Sequence, residues 1–157
     1  MIRLQEMTPA DYNTFMLAEI PKFAQSKMKG EGLSADEAMK VAVAIHKDFL
    51  PQGKSTPEHY FFNVMNDEEH VGTLWVNITQ DKGEYSAFVC DIEIFEKYQG
   101  LGYGEKTMTL MEEFALKHGA QSIRLHVFGY NKVAQNLYTK LGFETTNINM
   151  KKTLVKK

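Results

Sequence analysis

The chain has 157 residues, of which 43% are hydrophobic and 24% charged, and its formal net charge at pH 7 is −2. This length predicts a single domain, residues 1–157, with a buried core, and the charge balance argues against a nucleic-acid-binding surface. No apolar run reaches the length of a membrane span, and a single cysteine, Cys90, excludes an internal disulfide. We therefore expect a cytoplasmic protein with no membrane partner.

The first third of the chain predicts a short strand followed by two helices. Residues 2–7 are assigned to the strand, and Thr8 is the N-cap of a helix that extends to about Lys29. Pro21 lies inside this helix and is expected to kink or break it. A capping box predicts the second helix at about 34–50.

The rest of the chain predicts strands that alternate with two further helices. The strands are expected at 60–64, 71–78, 85–94, 122–127 and 143–153, and the helices at 103–116 and 131–141. Strands between 60 and 94 should pair antiparallel, whereas the unit at 85–127 should form a right-handed parallel crossover. The prediction is an α/β fold with a mixed, mostly antiparallel sheet of about six or seven strands and about four helices.

A glycine-rich segment separates the strand expected at 85–94 from the next helix. Gln99-Gly100-Leu101-Gly102-Tyr103-Gly104 places glycine at alternate positions, which lets the backbone turn tightly and approach a ligand. The free amides and the dipole at the start of the helix would favour a phosphate or pyrophosphate group. Neither the dinucleotide fingerprint G-x-G-x-x-G nor the G-K-[ST] ending of a nucleotide triphosphate loop is present.

A second motif begins at Asn131, which is a good helix N-cap. Apolar side chains recur at helical spacing from Val133 to Leu141, so one face of this helix should be buried. Gly142 stands at the expected C-cap position. From its position alone, Tyr138 is an aromatic residue at the edge of the core with its hydroxyl in water.

Together the two motifs resemble those of the GNAT superfamily of acyl-CoA-dependent N-acetyltransferases. Q-G-x-G-x-G after a strand, followed by N-x-x-A-x-x-L-Y-x-K-x-G-F, occurs here in the family's order and separation. The resemblance implies that residues 59–157 form the acyl-CoA-binding core and residues 1–58 the acceptor side. It also implies a splayed pair of strands that admits the cofactor, and it is compatible with a homodimer.

The resemblance further implies transfer of an acetyl group from acetyl-CoA to a primary amine, by direct attack through a tetrahedral intermediate. The residues that it assigns to the cofactor are Ile92, Ile94, Gln99, Gly100, Leu101, Gly102, Tyr103, Gly104, Asn131 and Tyr138. Main-chain amides near Ile94 would stabilise the oxyanion. The sequence departs from the family at Gln99, where arginine is frequent, and at Glu96, where proline is common.

Tyr138 matches the family tyrosine whose hydroxyl lies near the sulfur of CoA. A phenol with a pKa of about 10 is a suitable donor to a thiolate with a pKa of about 8.5. The resemblance does not fix the base that deprotonates the amine. Asp91 and Glu93 are two residues apart and share a strand face, so we favour Glu93 and then Asp91, with His126 a weaker candidate.

The face opposite this carboxylate pair is expected to be core and to carry Cys90, Ile92 and Ile94. The pair could instead simply line a solvated face. The acceptor-side candidates are aromatic and acidic side chains of the first third: Tyr12, Phe15, Phe49, Glu19, Glu31 and Asp36. The acceptor is expected to be a small-molecule amine or a peptide amine.

A non-enzymatic acyl-CoA sensor or interaction module on the same fold is the alternative function, because a fold does not fix an activity. The presence of Tyr138 and of the carboxylate pair favours the enzyme. No metal site is predicted, since the histidines are scattered and one cysteine cannot build a zinc site.

Overall fold

The computed structural model describes residues 1–156, which form a five-stranded sheet and four α-helices. The strands are β1 (Ile2–Glu6), β2 (His59–Asn66), β3 (Glu69–Asp81), β4 (Glu84–Ile94) and β5 (Ala120–Leu125). The helices are α1 (Pro9–Glu31), α2 (Ala35–Phe49), α3 (Tyr103–Lys117) and α4 (Lys132–Lys140). None of these helices combines the length and the apolar character that crossing a membrane requires.

The strands lie in the order β1-β2-β3-β4-β5. The first four pair antiparallel with their neighbours, and β5 joins β4 in parallel after the crossover through α3. The mixed sheet and the four helices confirm the predicted class, but the count of six or seven strands is wrong. Residues 143–153 form no strand in the described chain, because an extended segment becomes a strand only beside a neighbour that completes its ladder.

Each face of the sheet is covered by helices. On one face, Met108 and Met111 of α3 pack against Leu74 and Val76 in a fully buried cluster. On the other face, α1 covers Trp75 and the neighbouring aromatic residues. The alternation along β3 therefore separates an α3 side from an α1 side of the sheet.

Helix α1 continues through Pro21 without interruption, so the expected break there is wrong. Proline removes the hydrogen bond that residue 21 would donate to the carbonyl of Leu17. Leu17 lies on an exposed turn with its side chain 80% exposed, where water can hydrate the released carbonyl. Helix α1 starts at the predicted Thr8 cap, and Gly32 ends it in the left-handed conformation.

A β-bulge interrupts β4 at Cys90. Trp75 is opposite Asp91 and Val76 is opposite Val89, so Cys90 is an extra residue in the ladder. Two successive residues at such a bulge point to the same side of the sheet. Cys90 accordingly packs with the α1-side cluster, while Ile92 and Ile94 pack with the α3-side core. The expectation that Cys90 shares a face with Ile92 and Ile94 is therefore wrong.

Candidate functional site

A gap opens between β4 and β5 immediately after the bulge. The parallel pairing ends at Val89 and Leu125, whereas β4 continues to Ile94 along β3. The amide of Phe95 donates to the Val71 carbonyl of β3 at 2.9 Å. Because successive main-chain amides of a strand point in opposite directions, the amides of Ile94 and Ile92 point away from β3 and toward the other edge of β4. These main-chain groups face the gap that β5 leaves unfilled.

The glycine loop meets this gap at the start of α3. Gly100 and Gly102 have φ values of 80° and 81°, which side-chain-bearing residues rarely adopt. A Cβ atom on either glycine would meet no atom within 4 Å. The amide of Lys106 makes the first α3 hydrogen bond, to Gly102 O at 3.2 Å, so the amides at 102–105 precede it. The loop therefore offers open space and helix N-terminal donors, a combination that fits a phosphate group.

Side-chain hydrogen bonds hold the glycine loop from three directions. They are Tyr98 Oη to Glu69 Oε2 (3.2 Å), Gln99 Nε2 to Ile94 O (2.8 Å) and Asn66 Nδ2 to Tyr103 Oη (3.0 Å). The main-chain amide of Gln99 donates to Glu96 O at 3.2 Å, so the amides open to a ligand begin at Gly100. The side chains of Gln99 and Tyr103 thus fix the loop to the sheet, a positioning role that the glycine pattern did not reveal.

Helix α4 carries the second motif alongside the gap. Asn131 caps it as predicted, with Oδ1 accepting from the amide of Ala134 at 3.2 Å. The Tyr138 ring packs edge-on against Phe143, with the ring centroids 5.6 Å apart. Burial raises the pKa of the Tyr138 phenol, and the negative charge of Asp91 raises it further.

A cluster of charged side chains from α1 and β4, which we call the carboxylate cluster, lies on the α1 side of the gap. It is centred on Lys22, whose Nζ is 2.7 Å from Asp91 Oδ1 and donates a hydrogen bond to it. The same Nζ is 3.1 Å from Glu19 Oε2 and 4.0 Å from Glu93 Oε1. One ammonium therefore lies within ion-pair distance of three carboxyl groups.

The three carboxyl groups of the cluster differ in burial. Glu19 is 4% exposed, Asp91 12% and Glu93 42%. Glu19 Oε2 and Asp91 Oδ2 are buried and have no hydrogen-bond partner within residues 1–156, although Glu19 Oε2 is within ion-pair distance of Lys22. Burial raises the pKa of Glu19 to about 8, and the Asp91 charge adds to the rise. The pKa of Lys22 is lowered by burial, but Asp91 and Glu19 more than reverse this and raise it overall.

The structure brings some of the sequence candidates together and leaves others apart. Asp91 and Glu93 share the carboxylate cluster, whereas His126 is exposed and follows the last residue of β5. Among the acceptor-side candidates, Glu19 joins the cluster. The others lie elsewhere: Phe15 in the core, Tyr12 against Phe61, Phe49 against His59, Glu31 paired with Lys27 and Asp36 in the first turn of α2.

Lys22 is the member of the cluster that the sequence analysis missed. Its only local signal is the i,i+3 spacing from Glu19, which is also the spacing of ordinary surface pairs on helices. Asp91 lies 69 positions away in the sequence, and no pattern within α1 indicates that contact.

The family comparison places the chain among known acetyltransferases. The sequence profile of the acetyltransferase (GNAT) family matches residues 29–143. Two Bacillus subtilis proteins described as uncharacterised N-acetyltransferases align over nearly the whole length. YycN is 28% identical over 98% of this chain and 99% of its own, and YdgE is 30% identical over 96% and 97%.

A solved structure and a shorter match add to this comparison. The crystal structure of Bacillus subtilis YycN superposes with a TM-score of 0.94, covering 99% of this chain and 100% of that one at 27% identity. Thialysine N-epsilon-acetyltransferase of Mus musculus is 39% identical over 57 residues, which are 36% of this chain and 34% of the mouse protein.

Proposed function

Because the chain belongs to the GNAT family of acetyltransferases, we propose that it transfers an acetyl group from acetyl-CoA to a primary amine. Acetyl-CoA supplies the activated thioester, and the amine attacks it directly. The observation that carries this proposal is the open glycine loop at the start of α3, beside the gap that begins where β4 and β5 stop pairing. The carboxyl groups of Asp91 and Glu93 and the phenol of Tyr138 would add an amine base and a proton donor to this anion site.

The diphosphate of the cofactor would be held by main-chain amides of the glycine loop. The amides of Gly100 to Gly104 have the best support, because the amide of Gln99 already donates to the Glu96 carbonyl in the preceding turn. The amides of Ile92 and Ile94 suit the pantetheine arm and the developing oxyanion, because they point into the gap. The Ile94 carbonyl already accepts one hydrogen bond from Gln99 Nε2. Asn131 would add a polar contact at the start of α4.

Tyr138 would protonate the departing thiolate. A phenol with an ordinary pKa of about 10 is protonated at neutral pH, so its proton is available when sulfur becomes negative. The nearby Asp91 charge also opposes formation of a phenolate. Tyr138 would therefore serve as an acid in the forward reaction rather than as the base for the amine.

Glu93 remains the preferred base and Asp91 the second choice. Asp91 is engaged by Lys22 at 2.7 Å, whereas Glu93 is 4.0 Å from the same Nζ and is more exposed. A carboxylate that is less tightly paired and more accessible is better able to take a proton, directly or through a water.

The carboxylate cluster also suggests the class of acceptor. With the pKa of Glu19 raised to about 8, the carboxylates of Asp91 and Glu93 still outnumber the one ammonium of Lys22, which leaves the acceptor side negatively charged and suited to an alkylammonium. The partial similarity to an enzyme named for thialysine points in the same direction. We favour an aliphatic primary amine, carried by a small molecule or by a lysine side chain of a peptide.

The activity is tested by release of free CoA thiol from acetyl-CoA in the presence of amine panels. Polyamines, lysine and thialysine, lysine peptides and aminoglycosides form the panels, and acetylated product is confirmed by mass spectrometry. We expect turnover with at least one aliphatic amine. Thermal stabilisation by CoA without turnover on any amine would instead favour the non-enzymatic sensor.

The base assignment is tested by the pH dependence of kcat/KM in Glu93→Gln and Asp91→Asn. We expect Glu93→Gln to lose the limb of the profile that reports the base, with at least tenfold lower activity, within the range of about 10² to 10⁴ that acid–base catalysis supplies. Glu112→Gln, on the exposed surface of α3, is the matched control. Profiles identical to the parent in both variants would remove both carboxylates from the mechanism.

A further inference from the structure

Among residues 1–156, three buried side-chain oxygen atoms have no hydrogen-bond partner: Glu19 Oε2, Asp91 Oδ2 and Thr73 Oγ1. Glu19 and Asp91 belong to the carboxylate cluster. Thr73 is opposite Glu93 in the pairing of β3 with β4, two residues from the pair formed by Trp75 and Asp91, so it lies on the same α1 side of the sheet. A buried polar atom without a partner costs free energy. The three atoms together therefore mark a place that is suited to an additional hydrogen-bond donor.

The ammonium of Lys22 occupies the buried end of the carboxylate cluster, which we call the inner position. Its Nζ lies 2.7 Å from Asp91 Oδ1 and 3.1 Å from Glu19 Oε2, and these two carboxyl groups are the buried ones of the cluster. Although burial lowers the pKa of Lys22, the charges of Asp91 and Glu19 raise it overall. The inner position is therefore held by a lysine that stays charged at neutral pH.

Glu93 and Thr73 define a second position at the exposed end of the cluster, which we call the outer position. Glu93 Oε1 is 4.0 Å from Lys22 Nζ, which is beyond hydrogen-bond distance. Thr73 is only 6% exposed, and its hydroxyl makes no hydrogen bond to any described residue. A primary ammonium has three N–H donors and no acceptor, so at the outer position it would donate to both groups.

We propose that Lys22 determines the specificity for the acceptor: it fills the inner position, leaves the outer position to one ammonium, and selects against amines with two closely spaced ammonium groups. The inference rests on the proposed function, because it concerns the charge of the amine that the cleft accepts. Burial raises the pKa of Glu19 to about 8, so the carboxylates of Asp91 and Glu93 exceed the ammonium of Lys22 by one charge. One alkylammonium balances this charge, and a second would meet Lys22 as a like charge.

Removal of the Lys22 ammonium should open the inner position to a ligand. In Lys22→Met, the carboxylate of Asp91 loses its ion-pair partner, so a diamine would bring one ammonium to Asp91 and the other to Glu93. Butylamine and 1,4-diaminobutane are the matched probes, because they differ by one ammonium on the same carbon chain. We expect the ratio of their dissociation constants to shift toward the diamine by at least about tenfold, the effect of one added hydrogen-bonded ion pair.

Calorimetry in the presence of CoA measures the binding of both amines without turnover. The parent should bind 1,4-diaminobutane less than about tenfold more tightly than butylamine, and Lys22→Arg, which retains the cation, should keep the ratio of the parent. The matched control is Lys27→Met, which removes the same charge from a lysine of α1 that pairs with Glu31 at 2.9 Å. This control should also keep the ratio, because Lys27 lies outside the carboxylate cluster.

A parent that already prefers the diamine tenfold or more, or that binds neither amine, would overturn the proposal. An unchanged ratio in Lys22→Met would equally overturn it. The measurement on the parent does not depend on any variant, and circular dichroism checks that each variant folds. If Lys22→Met does not fold, Lys22→Gln has the same expected shift, because its amide can donate to Asp91 but carries no charge.

The assay for free CoA thiol separates this inference from the proposed function. Acetylation of an amine with a ratio that Lys22→Met leaves unchanged would reject the role of Lys22 and leave acetyl transfer standing. A shifted ratio without turnover on any amine would support the role of Lys22 in amine recognition and contradict acetyl transfer.

Discussion

The two sides of the proposed cleft are built in different ways. The glycine loop, α3 and the Asn131 cap on the cofactor side follow one another along the chain, and their conformations depend on nearby residues. The carboxylate cluster on the acceptor side joins Lys22 of α1 to Asp91 of β4, which are 69 positions apart. Backbone conformation therefore defines one side, and long-range charge pairing defines the other.

This difference determines how each side should respond to substitution. A glycine with positive φ has no close substitute, so changes in the loop should weaken CoA binding while the fold survives. The charged cluster instead shares one cation among three carboxyl groups, so a change there should redistribute charge and pH dependence. The three predictions below test this contrast.

The largest effect is expected at Gly102. Gly102→Val places a β-branched residue at a φ of 81°, and the resulting strain of about 1–3 kcal/mol should distort the donors of the loop. Calorimetry with CoA should show up to about a hundredfold weaker binding. Gly119→Val introduces comparable strain at a φ of 80°, in the turn between α3 and β5, and should lower the melting temperature without changing CoA affinity. Equal CoA affinity in both variants would contradict the role of the loop.

An intermediate effect is expected at Tyr138. Tyr138→Phe removes the proton donor and retains the ring that packs against Phe143, so turnover should fall at least about tenfold while CoA binding stays nearly unchanged. The comparison variant is Tyr60→Phe, whose ring packs against Phe114 and His118. Steady-state kinetics and calorimetry measure the two quantities, and turnover equal to that of the parent would reject the assignment.

The smallest effect on cofactor binding and turnover is expected from Glu19, which should act mainly on the pH dependence of stability. Its pKa is raised from about 4.5 to about 8 in the folded protein by burial and by Asp91, so the folded state binds this proton more tightly than the unfolded state. The free energy of unfolding should therefore decrease as pH rises from about 4.5 to 8, by at most about 1.4 kcal/mol per pH unit.

Urea denaturation at several pH values measures this slope. Glu19→Gln should flatten it, because the amide cannot titrate, while the exposed Glu112→Gln should retain it. A slope unchanged in Glu19→Gln would show that another group causes the pH dependence. Such a result would weaken the contrast between a conformational side and an electrostatic side of the cleft.

The same contrast explains how much was predictable from the sequence. Gly100, Gly102 and Asn131 were identified because each has a local conformational requirement that its residue type satisfies. Lys22 was missed because its partner on β4 is brought near only by the packing of α1 on the sheet. The bulge at Cys90 was missed for a related reason, since an extra residue in a ladder is visible only against the paired strand.

Two errors concern elements rather than side chains. A break was expected at Pro21, but the exposed Leu17 turn tolerates the missing hydrogen bond and α1 continues. Residues 143–153 alternate as a strand does, and a strand was therefore expected. Residues 1–156 form none there, because no neighbouring strand among them completes a ladder with this segment.

The extra residue at position 90 has a consequence for chain length. Without this residue, Asp91 would directly follow Val89 in β4, and the two would pair with Trp75 and Val76 of β3 in an unbroken ladder. Strand β4 would then lose the bend that a bulge imposes. The parallel pairing with β5 ends at Val89, directly before the bulge, so the bend in β4 lies where the gap begins. We expect the direction of β4 along the gap to depend on the number of residues here more than on the chemistry of the thiol, so replacement of Cys90 should be tolerated far better than its deletion.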